Sequence, residues 1–256
     1  MIHPTAIVSP ESTIGPDVYI GPYCRIGDRA RLGARCRLDS HVIIEGPATF
    51  GEDNHFFPFT SIGLQSQDLK FHGEETFLTV GSHNEFREYV TVHRGTQGGG
   101  GHTRIGDHNF FMVAAHVAHD CILGNHIIMA NAATLAGHVT IEDHATIGAY
   151  SGVHQFCRVG THGYVGGYTV VTKDVLPYSK TVSDRGTRAY GVNSLGLERK
   201  GFQPEQIQRI KTAFRLLLQS RLNTSQALEA IRSQCQSPEV RVLIDFIESS
   251  QRGVIK

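Results

Sequence analysis

The sequence predicts a mainly β protein: a parallel β-helix of short coils followed by a smaller α-helical region. Three features carry this prediction. An apolar residue returns at every sixth position through two long arrays, glycine often follows it, and after Pro177 the period gives way to steps of three and four residues. No single helix or strand has period six. A period this short, held over many units, makes each hexapeptide one side of a stacked coil.

The first array runs from Ile2 through Val8, Ile14, Ile20, Ile26, Leu32, Leu38, Ile44 and Phe50 to Phe56 and Ile62. Glycine follows the aliphatic at Gly15, Gly21, Gly27, Gly33, Gly51 and Gly63, which reads as tight corners where the backbone needs conformational freedom. The phase lapses at Asp68 and Glu74 and returns at Val80, Phe86 and Val92. Because 80 and 62 differ by 18, the excursion near residues 65–78 is expected to leave the register intact.

A second interruption, Gly95 to Gly101, is different. Val92 and Ile105 are 13 apart, one more than two hexads. Its four consecutive glycines lack the Lys-Ser/Thr ending and the following helix of a phosphate-binding loop, so it reads as a loop bulging from the coil. The second array then holds from Ile105 through Val117 and Leu135 to Val171. Three sides make a coil, so residues 18 apart should stack about one strand spacing apart, roughly 4.8 Å.

Beyond Pro177 the domain reading is a β-helix over 1–180, a connecting segment over 181–201, and a helical domain over 202–256. Ile207, Ile210, Phe214 and Leu217 fall at helical steps. Ser237-Pro238-Glu239 is a helix start with Ser as cap and Pro in the first turn, leading into an apolar face of Val240, Leu243, Ile244 and Ile247. Two or three short helices are expected to close the chain and cap the final coils.

The bulk composition excludes several classes. Twenty-four Lys plus Arg balance 24 Asp plus Glu, so no global charge points to nucleic acid or a membrane surface. No stretch approaches the roughly 20 apolar residues of a membrane span, and the start of the chain lacks a signal-peptide pattern. Five cysteines without a Cys-x-x-Cys pair argue against a disulfide framework. Cys24, Cys36, Cys121 and Cys157 occupy the fifth place of their hexads, where small inward residues recur. A reducing, cytoplasmic compartment is expected.

Histidine is where the sequence turns from architecture to chemistry: ten of the 15 lie between His93 and His162. The 18-residue rule sorts them. His108, His126, His144 and His162 form one column, expected to be a flat structural ladder rather than a tetrahedral metal cage. A second set is more pointed. His119, Gly137 and Gln155 share a column, His138 stacks over Asp120, and His116 lies just before His119. A glycine above the imidazole leaves space and exposes an N–H. One small region thus gathers a base, an adjacent carboxylate and a bare donor, a constellation suited to acyl transfer with an oxyanion intermediate. No Ser or Cys is paired with the base, since Cys121 is inward, so direct transfer without a covalent acyl-enzyme is expected.

The segments QDLKF, VTVHRGT, HVAHDC, NAATLAGHVTIED, VHQFC, VGG and GVN followed by RKGF together resemble the UDP-N-acetylglucosamine O-acyltransferase family of lipid A biosynthesis, over essentially the whole chain. The resemblance implies a left-handed parallel β-helix with C-terminal helices, assembled as a homotrimer with sites in clefts between subunits. It implies His119 as general base, Asp120 as its partner and the Gly137 N–H as oxyanion donor. Asp68, Lys70, His116, His138 and Gln155 match residues contacting the sugar nucleotide or its phosphates. Asn193 and Arg199 match contacts at the nucleotide end, and Gly167 matches the position that limits acyl-chain length, here leaving room for a long 3-hydroxyacyl chain.

The implied partners are UDP-N-acetylglucosamine and an acyl carrier protein, with no metal or organic cofactor. Arg185, Arg188, Arg199 and Lys200 form a basic cluster suited to steering that acidic donor. Two departures concern the nucleotide end: Leu195 stands where the family often has Glu, and the segment SDRGTRAY before Gly191-Val192-Asn193 is one residue longer than the family pattern. Two other functions fit a hexad coil: a zinc-dependent hydratase of the carbonic anhydrase type, which needs three His around a metal, and the sister N-acyltransferase, which usually carries an extra N-terminal domain ahead of the coils.

Overall fold

The computed structural model describes residues 1–183 and 187–255, without the side chains of Ser183 and Thr187. Its hexads fold into a left-handed parallel β-helix whose three sides are sheets of nine, eight and ten strands among the described residues. Most strands are two residues long, one side chain inward and one outward, as at Thr13–Ile14 and Thr140–Ile141. Successive coils pair in parallel at an offset of 18, with Ile7 opposite Arg25 and Thr134 opposite Gly152. The inward residues stack into one continuous core in which Phe56, Phe86 and Phe111 lie face to face at 5.1 and 4.8 Å. Cys24, Cys36, Cys121 and Cys157 are inside that core, and burial pushes the Cys121 thiol up to about 12.

The two excursions are insertions of definite length. Across the first, Ser61 pairs with Thr91, an offset of 30, so 12 residues are looped out and the hexad phase survives while the column rule does not. Across the second, Thr91 pairs with His116, an offset of 25, so seven residues are extruded, as many as Gly95 to Gly101. Both leave the coil at the edge that follows the nine-stranded sheet, and so wall one side of the molecule.

The corner geometry corrects the reading of the glycines. The left-handed residue at each corner stands three places after the inward aliphatic and is not glycine: Asp17, Arg35, Asp120, His138 and Phe156 all have φ between 56 and 65°. Of the six glycines next to the aliphatic, only Gly63 has positive φ. Close approach accounts for most of the others: a Cβ at Gly15 would lie 2.8 Å from the Gly33 carbonyl carbon, one at Gly21 or Gly33 would run into the backbone of the next coil, and one at Gly27 would meet the Glu45 side chain. Left-handed non-glycine residues cost about 1–2 kcal/mol each. Where neighbouring corners are aromatic, as at His41 and Phe59 or Tyr150 and Tyr168, stacking worth about 0.5–1.5 kcal/mol per pair offsets part of this.

Hence the histidine column. His83, His108, His126, His144 and His162 stack with ring centroids 4.6–4.9 Å apart and nearly parallel planes. The ladder closes on Tyr178, while Phe202 meets the His162 ring edge-on.

The stretch 181–201 is itself structured. Ser179–Ser183 and Thr187–Val192 pair antiparallel and are the last two of the ten strands of their sheet, followed by a short helix, α1 (Ser194–Arg199). Three more helices follow: α2 (Pro204–Leu218), α3 (Thr224–Gln234) and α4 (Pro238–Ser249). The anticipated apolar residues of α2 and α4 are all buried, and Ser237 caps α4 by accepting from the Val240 N–H at 3.3 Å. The chain then returns to the coil: the Asp174 N–H donates to the Gly253 carbonyl, the Ile255 N–H donates to the Asp174 carbonyl, and the Ile255 side chain plugs the end of the β-helix core. No helix among the described residues is long and apolar enough to cross a membrane.

Candidate active site

His119 and Asp120 sit at the corner after the strand His116–Val117, and Gly137 and His138 occupy the same places one coil on. The register is fixed locally by the His138 N–H donating to the His119 carbonyl at 3.0 Å. The His119 Nδ1 lies 2.8 Å from Asp120 Oδ2, with the two side chains 14% and 1% exposed.

Burial alone would push the Asp120 carboxyl up. Hydrogen bonds from His119 and from the hydroxyl and N–H of Thr96 outweigh it and hold the group below the usual carboxylate range. An ionised carboxylate only accepts, so His119 must donate from Nδ1, and in the neutral ring this makes Nε2 the nitrogen able to take a proton.

Gly137 completes the arrangement. A Cβ there would lie 2.6 Å from His119 Nε2 and closer still to Cε1, so only glycine lets the imidazole rest in this place. Among the described residues no carbonyl takes up the Gly137 N–H, which remains a donor for a ligand. His138 packs edge-on against His119 at 5.1 Å and stacks on Phe156 at 4.5 Å, and its Nε2 is 3.9 Å from Asp120 Oδ2.

The cleft beside these groups encloses about 670 Å³ and is lined by Asp68, Lys70, His116, His119, His138 and Gln155, together with His93 and Phe156. Six of the residues singled out in the sequence therefore meet at one place, with Asp120 behind them and Gly137 beneath the imidazole. The loop of the first excursion brings Asp68, whose Oδ1 accepts from the Lys70 N–H at 3.0 Å, leaving the Lys70 side chain exposed. His116 is oriented by the Thr91 hydroxyl at 2.7 Å from its Nδ1.

Three residues lie elsewhere in the chain. Asn193 caps α1 by accepting from the Gly196 N–H at 3.3 Å and sits beside His162, on the edge that carries the histidine ladder. Arg199 is exposed at the end of α1, and Leu195 is 58% exposed on the same helix. Gly167 is exposed on the third edge, after the ten-stranded sheet. Of the basic cluster, Arg188, Arg199 and Lys200 are exposed, and Arg185 lies outside the described residues.

Sequence reasoning missed two groups. Thr96 donates twice to Asp120, at 2.8 Å from its N–H and 2.6 Å from its hydroxyl. His93 is buried against His116, with ring centroids 5.1 Å apart. Burial, helped by the charges of His116 and His119, pushes His93 down to about 4, and burial next to His144 and Lys200 does the same to His162.

Because both imidazoles resist protonation in the folded state only, the unfolded chain binds protons that the native one does not. Stability should therefore be full above pH 6.5 and fall as pH drops from about 6.5 to about 4. After allowance for solvent screening, the loss is about 2 kcal/mol per histidine. Urea titrations at fixed m-value should show the midpoint falling across that window. A flat midpoint would mean that these rings are protonated at no cost.

Among the described residues, two groups of ligand atoms converge closely enough to hold a metal ion: His119, Asp120 and His138, and the largely exposed Glu52, Asp53 and His83. Neither contains the three imidazoles of the hydratase reading, and both Asp120 oxygens are already committed to Thr96 and His119.

Comparison with known proteins agrees with this geometry. Residues 174–255 match the family described as UDP-N-acetylglucosamine O-acyltransferase, domain 2, and residues 11–46 match the bacterial transferase hexapeptide repeat. The chain is 44% identical over 256 residues to the acyl-[acyl-carrier-protein]–UDP-N-acetylglucosamine O-acyltransferase of Halorhodospira halophila, covering 100% of this chain and 99% of the other. It is 46% identical to the enzyme of that name from Myxococcus xanthus, with the same coverage. Among solved structures, LpxA from Acinetobacter baumannii superposes with a TM-score of 0.96 at 43% identity, covering 100% of this chain and 99% of that one. LpxA from Bacteroides fragilis gives 0.98 at 39% identity, with both chains fully covered.

Proposed function

We propose, because the chain belongs to the UDP-N-acetylglucosamine O-acyltransferase family, that it moves a 3-hydroxyacyl group from acyl carrier protein to the 3-hydroxyl of UDP-N-acetylglucosamine, an early step of lipid A biosynthesis. The observation that carries the mechanism is the His119–Asp120 pair seated over an unencumbered Gly137. His119 Nε2 takes the proton of the sugar hydroxyl as its oxygen attacks the thioester carbonyl. The Gly137 N–H receives the developing oxyanion, a contact worth roughly 3–4 kcal/mol. Collapse of the intermediate breaks the C–S bond, and the imidazolium returns its proton to the leaving thiolate, so the base is regenerated. Asp120 holds the tautomer and stabilises the imidazolium. Asp68, Lys70, His116, His138 and Gln155 grip the sugar and its phosphates.

The remaining assignments require more than one chain. Asn193 and Arg199 belong to the ladder edge, and Gly167 to the third, while the base belongs to the edge bearing the two loops. In a homotrimer with clefts between subunits, edges of different kind face each other and these residues can serve one substrate. Two separate apolar clusters, one inside the coil and one among the helices, support a division into a coil and a helical region, with Leu176, Tyr178 and Leu197 of the second cluster tying the end of the coil and the 181–201 stretch to the helices. Arg188, Arg199 and Lys200 would steer the acidic carrier protein. The free, buried cysteines suit a cytoplasmic setting.

The test is direct. Purified protein is incubated with UDP-N-acetylglucosamine and a panel of 3-hydroxyacyl carrier proteins, and products are identified by mass. An O-acylated sugar nucleotide is expected, formed fastest with a chain of about fourteen carbons because Gly167 leaves the groove long. Absence of that ester would overturn the function. A strong preference for ten-carbon donors would overturn the role of Gly167 alone.

A further inference from the structure

The Asp120 carboxylate is held by more than its histidine. The Thr96 N–H donates to Oδ1 and the Thr96 hydroxyl to Oδ2, while the Asp120 N–H donates to the Thr103 hydroxyl at 2.9 Å. Thr96 is buried, and its own carbonyl accepts from the N–H groups of Gly99 and Gly101 at 3.0 and 2.8 Å, closing the glycine segment on itself. That segment lies flat on the carboxylate. A Cβ at Gly95 would stand 2.7 Å from Oδ1, and one at Gly99 would overlap the carboxylate group outright. Gly95 and Gly99 lack side chains where the loop backbone touches Asp120, while Gly100 and Gly101 take left-handed torsions, φ 88 and 78°, that bend the segment back. A loop that merely bulged into solvent would not need glycine at 95 and 99.

We infer that Thr96 is a positioning residue for the transfer reaction and that the Gly95–Gly101 segment is a clamp which fixes the Asp120 carboxylate. With Oδ1 occupied and one side of Oδ2 taken by the hydroxyl, the acceptor left for His119 Nδ1 has a single direction. The imidazole is thereby locked with Nε2 toward Gly137. This inference rests on His119 being the base. Thr96 does not line the cleft, so it acts on the rate of the chemical step and not on substrate binding.

Thr96→Val keeps the shape and removes the hydroxyl. A hydrogen bond to a charged group has an effect of about ten- to a hundredfold when lost. Thr96→Val should lower kcat by that factor with KM within about twofold, and Thr96→Ser should restore most of the rate. In an Asp120→Ala background Thr96→Val should cause no further loss of kcat, because the group it positions is gone.

Unchanged kcat in Thr96→Val, or a full additional loss on top of Asp120→Ala, would overturn the clamp. Should Thr96→Val fail to fold, Gly99→Ala tests the same idea by displacing the carboxylate, and a normal kcat there would be equally fatal. His119→Ala is run alongside. If it retains the wild-type rate, the assignment of the base has failed; if it is inactive while Thr96→Val is unaffected, only the clamp has.

Discussion

His119→Ala is expected to lower kcat by about three orders of magnitude while leaving the fold and the affinity for sugar nucleotide nearly unchanged. General-base catalysis by a positioned imidazole contributes about 10²- to 10⁴-fold, and nothing else in the cleft can take over. His116 is turned by Thr91, and burial disfavours protonation of its ring and of the His138 ring, neither of which has an ionised carboxylate bonded to it to steady the charged form. The nearest approach of His138 to Asp120 is 3.9 Å, too long for a hydrogen bond. Stability should survive because Asp120 loses one partner and keeps the two donors of Thr96. Steady-state kinetics with a thermal melt of the same preparation checks both halves. A rate within tenfold of wild type, in a folded protein, would remove His119 from the mechanism.

Much of this site was legible because a coil of constant length turns sequence distance into position. His119, Gly137 and Gln155 could be placed in one column from the sequence alone, and the described pairing at an offset of 18 puts them there. The rule fails where the coil is interrupted. Applied to His93 it points to Phe111, on a different side of the prism. The seven extruded residues make the true offset 25, which carries His93 to Ala118, under the catalytic corner. Thr96 was invisible for the same reason: it sits inside the extruded segment, where no period relates it to Asp120. The glycines misled differently. Their spacing was plain, but periodicity cannot distinguish a residue that needs positive φ from one that needs no side chain. The corner torsions and the closeness of the next coil decide that in favour of the second.

That distinction yields the other large effect. Gly137→Ala should nearly abolish turnover, by about a hundredfold or more, without weakening the fold. Gly137 is outside the left-handed region, so an alanine meets no backbone strain, and the reduced entropy of the unfolded chain favours it by about 0.4–1 kcal/mol. The three atoms nearest the added methyl all belong to the ring of His119, a side chain that borders a cleft and can swing into it. Swinging breaks the 2.8 Å bond to Asp120 and puts a methyl group where the reacting oxygen must sit. Gly21→Ala is the contrast: its methyl would strike the backbone of the next coil at Asp39, which cannot move aside, so stability should fall. Measuring kcat and melting temperature for both variants separates the cases. If Gly137→Ala melted early and kept its rate, the absence of a side chain at this position would serve packing and not the reaction.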